Sequence, residues 1–219
     1  MVNIGAVGSQ TRSAETRQKI LDAGVELFSG KGYGATSLSD ITAAARVTTG
    51  AFYYHFGSKE ALATAIVAEG WPKAWEVIGA CIESPSPGLE NVIVMTFALS
   101  SLMKRDKSVW IANHLNQSLG LLDEPGRKAF EYKARNFIDG VAASINQSDI
   151  RPDVTPHELG TQVWMTVHGC HLLSDATGDS VSERLEKSWR ILLRASVPDE
   201  SQAYFEQFLA RTAKHYRID

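Results

Sequence analysis

Residues 36–56, TSLSDITAAARVTTGAFYYHF, constrain the fold of this chain more than any other stretch. Apolar residues recur in its first half at three- and four-residue spacing, which predicts a short helix with one buried face, formed by Leu38, Ile41 and Ala45. Arg46 interrupts that pattern, and a second short helix follows. Because two helices of about two turns cannot bury a core alone, a third helix must pack across them, and residues 13–30 have the period for it, with Ser13 as its N-cap.

The second short helix is predicted to begin at Thr48, whose hydroxyl suits an N-cap. Tyr54 and Phe56 are assigned to its inward side. A three-helix unit of this kind presents its second short helix to solvent, where it is short enough to lie in the major groove of DNA. Thr48 and Thr49 lie at its start, where threonine can hydrogen-bond to bases and contact a thymine methyl. Gly50 allows a close backbone approach.

Two runs of sequence resemble the helix-turn-helix region of TetR-family transcriptional regulators. One is VTTGAFYYHFGSKE at residues 47–60, and the other is TRQKILDAGVELFSGKGYGATSL at residues 16–38. The resemblance is dense over residues 13–66. It implies an all-α protein with an N-terminal three-helix helix-turn-helix domain and a C-terminal helical bundle for ligand binding and dimerisation.

The remaining pattern agrees with two domains. We expect a DNA-binding domain at residues 1–57, with a mobile arm at 1–12, and a ligand-binding and dimerisation domain at 58–219. Residues 58–84 form the connecting helix, in which Pro72 predicts a kink or break. A short linker, SPSPG, ends at Gly88, and no later stretch alternates as a strand would.

The resemblance also implies roles for individual residues. Tyr53 and His55 match the tyrosine and histidine that hold the DNA backbone across the family, and Lys59 matches a phosphate contact. Arg46 replaces the usual glycine, at a cost of about 1 kcal/mol or more if its backbone is left-handed. Many relatives have lysine in place of Thr49, so their operators do not transfer. The predicted DNA-binding residues are Arg12, Thr36, Ser37, Arg46, Thr48, Thr49, Gly50, Tyr53, His55 and Lys59.

Composition excludes several other classes of protein. No apolar run approaches the ~18–20 residues of a membrane span, and the N-terminus lacks a secretory signal, so we expect a cytoplasmic protein. The two cysteines, Cys81 and Cys170, predict buried thiols instead of a disulfide framework. Residues 1–60 contain six of the 22 basic residues and five of the 25 acidic residues. This balance indicates few phosphate contacts and no broad basic surface.

The sequence contains no arrangement typical of a metal, cofactor or catalytic site. His168 and His171 share a helix face, but Cys170 points elsewhere and no fourth ligand is near, whereas zinc sites are usually four-coordinate. No nucleophile elbow or glycine-rich phosphate loop is present. We therefore expect no metal, no cofactor and no catalytic residues.

The second domain combines an apolar lining with a few polar tips, as small-molecule sites do. Its candidate ligand-binding residues, each of which could instead be core, are Met95, Phe97, Trp110, His114, Gln117, Phe130, Tyr132, Asn136, Phe137, Trp164 and His168. NQSDI at residues 146–150 and RILLRASVP at 190–198 resemble the γ-butyrolactone-receptor branch of the TetR family. That branch implies a lactone- or furan-type effector, but the tryptophan it places over the ligand falls near Tyr132 or Lys133, where none occurs.

The helix at residues 155–176 has apolar residues on two adjoining faces, so it needs partners on two sides. We therefore expect this helix and the helix at residues 182–195 to pair with the same two helices of a second subunit, forming a four-helix seam across a two-fold axis. The sequence thus predicts a homodimeric, ligand-responsive regulator, a repressor, that binds double-stranded DNA at an inverted repeat. Two other hypotheses remain open: an all-helical binder or enzyme with a vestigial DNA-binding domain, and an activator or nucleoid-type DNA binder.

Overall fold

A computed structural model describes residues 4–84 and 88–217 of the chain, with side chains from residue 10 onwards. These residues form ten α-helices and two short 3-10 helices and contain no strand, which confirms the all-α prediction. Within the described residues, no helix combines the length and the apolar character that crossing a membrane requires.

The helices follow one another with short connections. Their bounds are α1 Ile4–Lys31, α2 Leu38–Ala45, α3 Thr49–His55, α4 Lys59–Ile82, α5 Gly88–Arg105, α6 Lys107–Gly120, α7 Glu124–Ser144, α8 Pro156–Thr177, α9 Val181–Ser196 and α10 Gln202–Tyr216. The 3-10 helices are Gln147–Asp149 and Asp199–Ser201.

The chain divides into two compact units. Unit 1 consists of the chain up to Lys73 together with Asp106–Arg127, and unit 2 consists of Ala74–Arg105 together with the chain from Lys128 onwards. The predicted boundary after residue 57 therefore lies inside unit 1. The sequence could not indicate this, because α6 joins the helix-turn-helix region from a distant part of the chain.

One hydrophobic cluster holds unit 1 together. It joins buried residues of α1, α2, α3, the first half of α4, and α6, among them Ile20, Phe28, Ile41, Phe52, Leu62, Ile66, Ile111 and Leu115. At Gly70, α4 passes so close to α6 that a Cβ atom would lie 2.5 Å from the carbonyl oxygen of Ser108. A glycine is required there for steric reasons, and it fixes the spacing of α4 and α6.

Unit 2 is built around α5, which is buried on most of its sides. Trp189 of α9 is fully buried, and its indole Nε1 donates to Thr96 Oγ1 at 2.9 Å. Ser100 Oγ donates to the Thr96 carbonyl at 2.8 Å and lies 3.0 Å from His171 Nε2. These hydrogen bonds satisfy the polar groups that α5, α8 and α9 bury together, as buried polar groups require.

Three predictions about helix ends and helix continuity differ from the structure, at least in part, or fall outside the described residues. The first helix begins at Ile4, so Ser13 lies inside it and the arm is helical from that residue. α4 continues without a break through Pro72, because proline removes one backbone donor and the hydrogen bonds on either side of it remain. The predicted break is therefore wrong, and the kink stays a prediction. In the predicted SPSPG linker, residues 85–87 lie outside the described residues.

Candidate nucleic-acid interface and candidate effector site

The start of α2 is fixed by reciprocal hydrogen bonds. Ser37 Oγ accepts from the backbone N–H of Asp40 at 3.1 Å, and Asp40 Oδ2 accepts from the backbone N–H of Ser37 at 2.9 Å. Bonds from the Ser37 backbone and side chain, and then from Lys31, lower the pKa of Asp40 to about 2. This capping box holds the exposed Ser37 at the entrance to the helix-turn-helix.

The turn between α2 and α3 is made by Arg46 in a left-handed conformation, with φ 54° and ψ 45°. Among the described residues it is the only non-glycine with positive φ. Its backbone N–H donates to the Ala43 carbonyl at 3.2 Å, and that of Val47 donates to the Thr42 carbonyl at 3.0 Å, which closes α2. The side chain is exposed, and no hydrogen bond or ion pair holds its guanidinium within the part of the chain that the structure describes.

One face of α3 packs against the core of unit 1, and the other face is exposed to solvent. Thr48 Oγ1 accepts from the backbone N–H of Ala51 at 3.1 Å, as an N-cap does. Phe52 is fully buried in the unit 1 cluster. The exposed residues are Thr48, Thr49, Gly50, Tyr53 and Tyr54, and His55 is half-buried.

Tyr54 does not face inward as predicted. Its exposure is 79%, compared with 55% for Tyr53, while Phe52 and Phe56 are buried. Apolar residues four apart, Phe52 and Phe56, therefore define the inner face of α3, and Tyr54 falls between them on the outer side. Sequence reasoning missed Tyr54 as an interface residue, and the signal that could have found it was the spacing of the two phenylalanines.

Two of the predicted DNA-contacting residues form hydrogen bonds within the protein instead. Thr36 is only 1% exposed, and its hydroxyl donates to the Gly32 carbonyl at 2.9 Å, so we remove it from the interface. Lys59 Nζ donates to the carbonyls of Tyr33 and Thr36 at 3.0 and 3.1 Å and lies 4.4 Å from the centre of the Tyr33 ring. Lys59 thus ties the start of α4 to the turn before α2. Arg12 is exposed on α1.

The predicted ligand-binding residues divide between the two units. Trp110, His114 and Gln117 lie on α6 in unit 1, and the others lie in unit 2. Met95 and Phe97 are fully buried core residues of α5, because that helix is surrounded on most sides. Tyr132 is exposed and Asn136 is half-buried on α7.

Four of the predicted residues form an aromatic cluster in unit 2, which we call the α7–α8 cluster: Phe130, Phe137, Trp164 and His168. Ring centres of Phe130 and Phe137 lie 5.9 and 5.2 Å from that of Trp164, and the ring of His168 lies 3.8 Å from Trp164. Burial lowers the pKa of His168 to about 4, and a hydrogen bond to the Trp164 carbonyl offsets part of this effect. The cluster is therefore apolar with one neutral imidazole.

α8 and α9 also carry large apolar side chains on their outer faces, which sequence reasoning missed. Leu172 is 60% exposed and Ile191 67% exposed, with Met165 and Leu173 each half exposed. α8 and α9 pack against each other, so these residues lie on neighbouring helices of one unit. Large apolar side chains exposed on neighbouring helices can mark an interaction site.

Comparison with known proteins gives a consistent result for the N-terminal region. Residues 20–66 match the family described as "Bacterial regulatory proteins, tetR family". The A-factor receptor protein of Streptomyces griseus is 43% identical over 63 residues, which are 29% of this chain and 23% of that protein. The transcriptional repressor DhaR of Mycobacterium sp. strain GP1 is 37% identical over 70 residues, which are 32% of this chain and 35% of that protein. The matched segment thus spans only about a quarter to a third of these curated relatives.

Solved structures extend the likeness along the chain. A γ-butyrolactone receptor, described as an ArpA-like protein, superimposes with a TM-score of 0.73 and 26% identity, and covers 93% of this chain and 99% of its own. CprB from S. coelicolor A3(2) gives a TM-score of 0.72 with 27% identity over 93% of this chain and 98% of its own. CprB in complex with its biological operator sequence gives a TM-score of 0.70 with 25% identity over the same shares of the two chains.

Proposed function

Because this chain belongs to the TetR family of bacterial regulatory proteins, and is therefore a transcriptional regulator and not an enzyme, we propose that it represses transcription by binding an inverted-repeat operator as a homodimer. A small molecule that binds unit 2 releases it. It works in the cytoplasm, where its DNA lies. The observation that carries this proposal is the exposed face of α3, anchored by the buried Phe52.

The proposed DNA interface has two parts. Thr48, Thr49 and Gly50 lie at the start of α3, where this class of helix contacts base edges, so they read sequence. Phosphate contacts come from Arg46, Ser37, Tyr53, His55 and Arg12, to which we add Tyr54 on account of its exposure. Lys59 supports the interface from inside the protein, through its hydrogen bonds to the Tyr33 and Thr36 carbonyls.

The proposed dimer uses the outer faces of α8 and α9. Leu172, Leu173 and Met165 of α8 and Ile191 of α9 would leave large apolar surfaces in water in a monomer. A two-fold axis pairs such a surface with itself. It would also place two α3 helices on successive turns of DNA, about 34 Å apart, which is why the operator is an inverted repeat.

The proposed effector is small, largely apolar and of the lactone or furan type. Support comes from the α7–α8 cluster and from the likeness, over nearly the whole chain, to γ-butyrolactone receptors. Release follows if the effector binds more tightly to a state whose two α3 helices no longer match the half-site spacing, because a ligand shifts an equilibrium only through differential affinity.

A gel-shift titration tests this function directly. Inverted repeats taken from the DNA upstream of the protein's own gene should be bound by a dimer at nanomolar protein concentration. A repeat with one half-site scrambled is the control and should bind far more weakly. If no inverted repeat from that region is bound in preference to scrambled DNA, the proposal is wrong.

A further inference from the structure

His168 contains a buried atom with no partner. Its Nε2 is closed off from solvent, and no hydrogen bond satisfies it among residues 4–84 and 88–217. The next histidine on α8 provides a contrast, since His171 Nε2 lies 3.0 Å from Ser100 Oγ. Buried polar atoms are nearly always satisfied by protein, water or ligand, so the exception at His168 needs an explanation.

The other ring nitrogen of His168 determines what Nε2 can do. Nδ1 lies 3.0 Å from the carbonyl oxygen of Trp164. A carbonyl oxygen can only accept, so Nδ1 carries the proton and donates it. In a neutral imidazole the second nitrogen then has a lone pair and no hydrogen. His168 Nε2 is therefore an acceptor and cannot donate.

The surroundings keep this imidazole neutral and provide it with no donor. Its ring centre lies 3.8 Å from that of Trp164, with the two rings tilted by 41°, and the ring centre of Phe130 lies 6.4 Å away, edge to face. Burial lowers the pKa of His168 to about 4, so at neutral pH it carries no charge. An acceptor in an aromatic cluster selects a partner with a hydrogen-bond donor on an apolar body.

We propose that His168 Nε2 accepts a hydrogen bond from the effector, and that the effector is consequently an apolar molecule bearing a hydroxyl or N–H group. This inference rests on the proposed function, which places an effector in unit 2, and it narrows the chemistry of that effector. A lactone or furan that offers only ring and carbonyl oxygens leaves Nε2 unsatisfied. The same molecule with a free hydroxyl satisfies it.

The tautomer can be measured without any ligand. Two-bond ¹H–¹⁵N spectra of the ¹⁵N-histidine-labelled full chain at neutral pH distinguish a protonated Nδ1 from a protonated Nε2. The His168→Phe variant assigns the signal by its disappearance. We expect protonation at Nδ1. Protonation at Nε2 in the free protein would overturn the proposal, because that nitrogen would then be a donor.

Ligand selectivity is tested with matched pairs that differ only in the donor. Suitable pairs are a hydroxyl-bearing γ-decalactone and its O-methyl ether, and 4-hexylphenol and 4-hexylanisole, with binding followed by calorimetry. The wild-type protein should prefer the hydroxyl member of a pair by about tenfold, the cost expected when a buried polar group loses its partner. His168→Phe should abolish the preference, whereas the control His157→Gln, at the exposed start of α8, should retain it.

The outcomes are distinguishable from failure of the regulator function. Equal or tighter binding of the ethers by wild type overturns the proposal, as does failure of both pairs to bind. Loss of the preference in His168→Phe supports it, provided that thermal unfolding shows the variant folded. If that variant is unfolded, the wild-type preference and the wild-type tautomer decide. Operator binding, measured in parallel, tests the regulator function by itself.

Discussion

Replacing Arg46 by glycine should stabilise the folded protein and at the same time weaken its binding to DNA. Arg46 has φ 54°, and a left-handed conformation costs a non-glycine residue roughly 1–2 kcal/mol. No hydrogen bond or ion pair of its guanidinium, within the residues that the structure describes, offsets that cost. Strain that persists without an internal partner is often associated with function.

The magnitude of the stability change is the difference between two effects. Glycine removes roughly 1–2 kcal/mol of strain, but it increases the conformational entropy of the unfolded chain, which costs about 0.4–1 kcal/mol. The free energy of unfolding of Arg46→Gly should therefore rise by about 0.8 kcal/mol, the middle of a range from about 0 to about 1.6 kcal/mol. Each phosphate contact that is lost reduces the slope of log K for DNA binding against log salt concentration by about 0.9. A dimer that loses one contact in each subunit should therefore show a slope smaller by about 1.8.

Two companion variants separate charge from strain. Arg46→Ala loses the charge and keeps the strained backbone, so it should weaken DNA binding without the gain in stability. Arg46→Lys keeps the charge and should retain most of the salt dependence. Urea unfolding and operator titrations at four salt concentrations provide the measurements. If Arg46→Gly is no more stable than Arg46→Ala, or if its salt slope equals that of wild type, the reasoning about this turn is refuted.

Three further predictions concern α3, the outer face of α8 and the buried imidazole. Tyr53→Phe should weaken operator and nonspecific DNA binding by a similar factor, about tenfold, because a hydrogen bond to phosphate carries no sequence information, whereas Thr49→Ala should change the preferred bases in a binding-site selection. Leu172→Arg should give a folded monomer by native mass spectrometry and lose tight operator binding, and a dimer that survives the change would contradict the proposed interface. Folding lowers the pKa of His168 from 6.5 to about 4. Between these two pH values the unfolded chain binds a proton at His168 that the folded protein does not. The wild type should therefore lose on the order of 3 kcal/mol of stability as pH falls through that range. His168→Phe should lose less, as measured by urea unfolding at each pH, and equal losses would show that this pKa is not depressed.

Local features of unit 1 could be predicted from sequence because they depend on neighbours in the chain. Ser37 and Thr48 cap their helices as expected, and the turn at Arg46 has the left-handed backbone that the sequence had left as a condition. Capping and turn formation involve atoms within about four residues, so a sequence pattern carries most of the information. The outward position of Tyr54 was missed because, in a helix of only seven residues, the single pair Phe52 and Phe56 was the one signal of the inner face, and Tyr54 was grouped with it.

Features that depend on distant parts of the chain could not be predicted in this way. Met95 and Phe97 look like pocket residues by type, but α5 is surrounded, and they belong to the core. The grouping of α6 with the helix-turn-helix depends on Ile111 and Leu115 sharing one cluster with residues between Ile20 and Val67, far earlier in the chain. The orphan nitrogen of His168 likewise depends on how its ring is turned and covered, which sequence spacing does not reveal.

The placement of α6 has a consequence for anyone who would exchange recognition modules between regulators. A chimera cut after residue 57 would separate residues 1–57 from the side chains that bury their apolar surface, which include Leu62 and Ile66 of α4 and Ile111 and Leu115 of α6. Such hybrids should be insoluble or molten even when the splice preserves every DNA-contacting side chain. A transplant that extends to Lys73 and also carries Asp106–Arg127 retains all the residues of the unit 1 cluster, and in evolution the two segments should be inherited together.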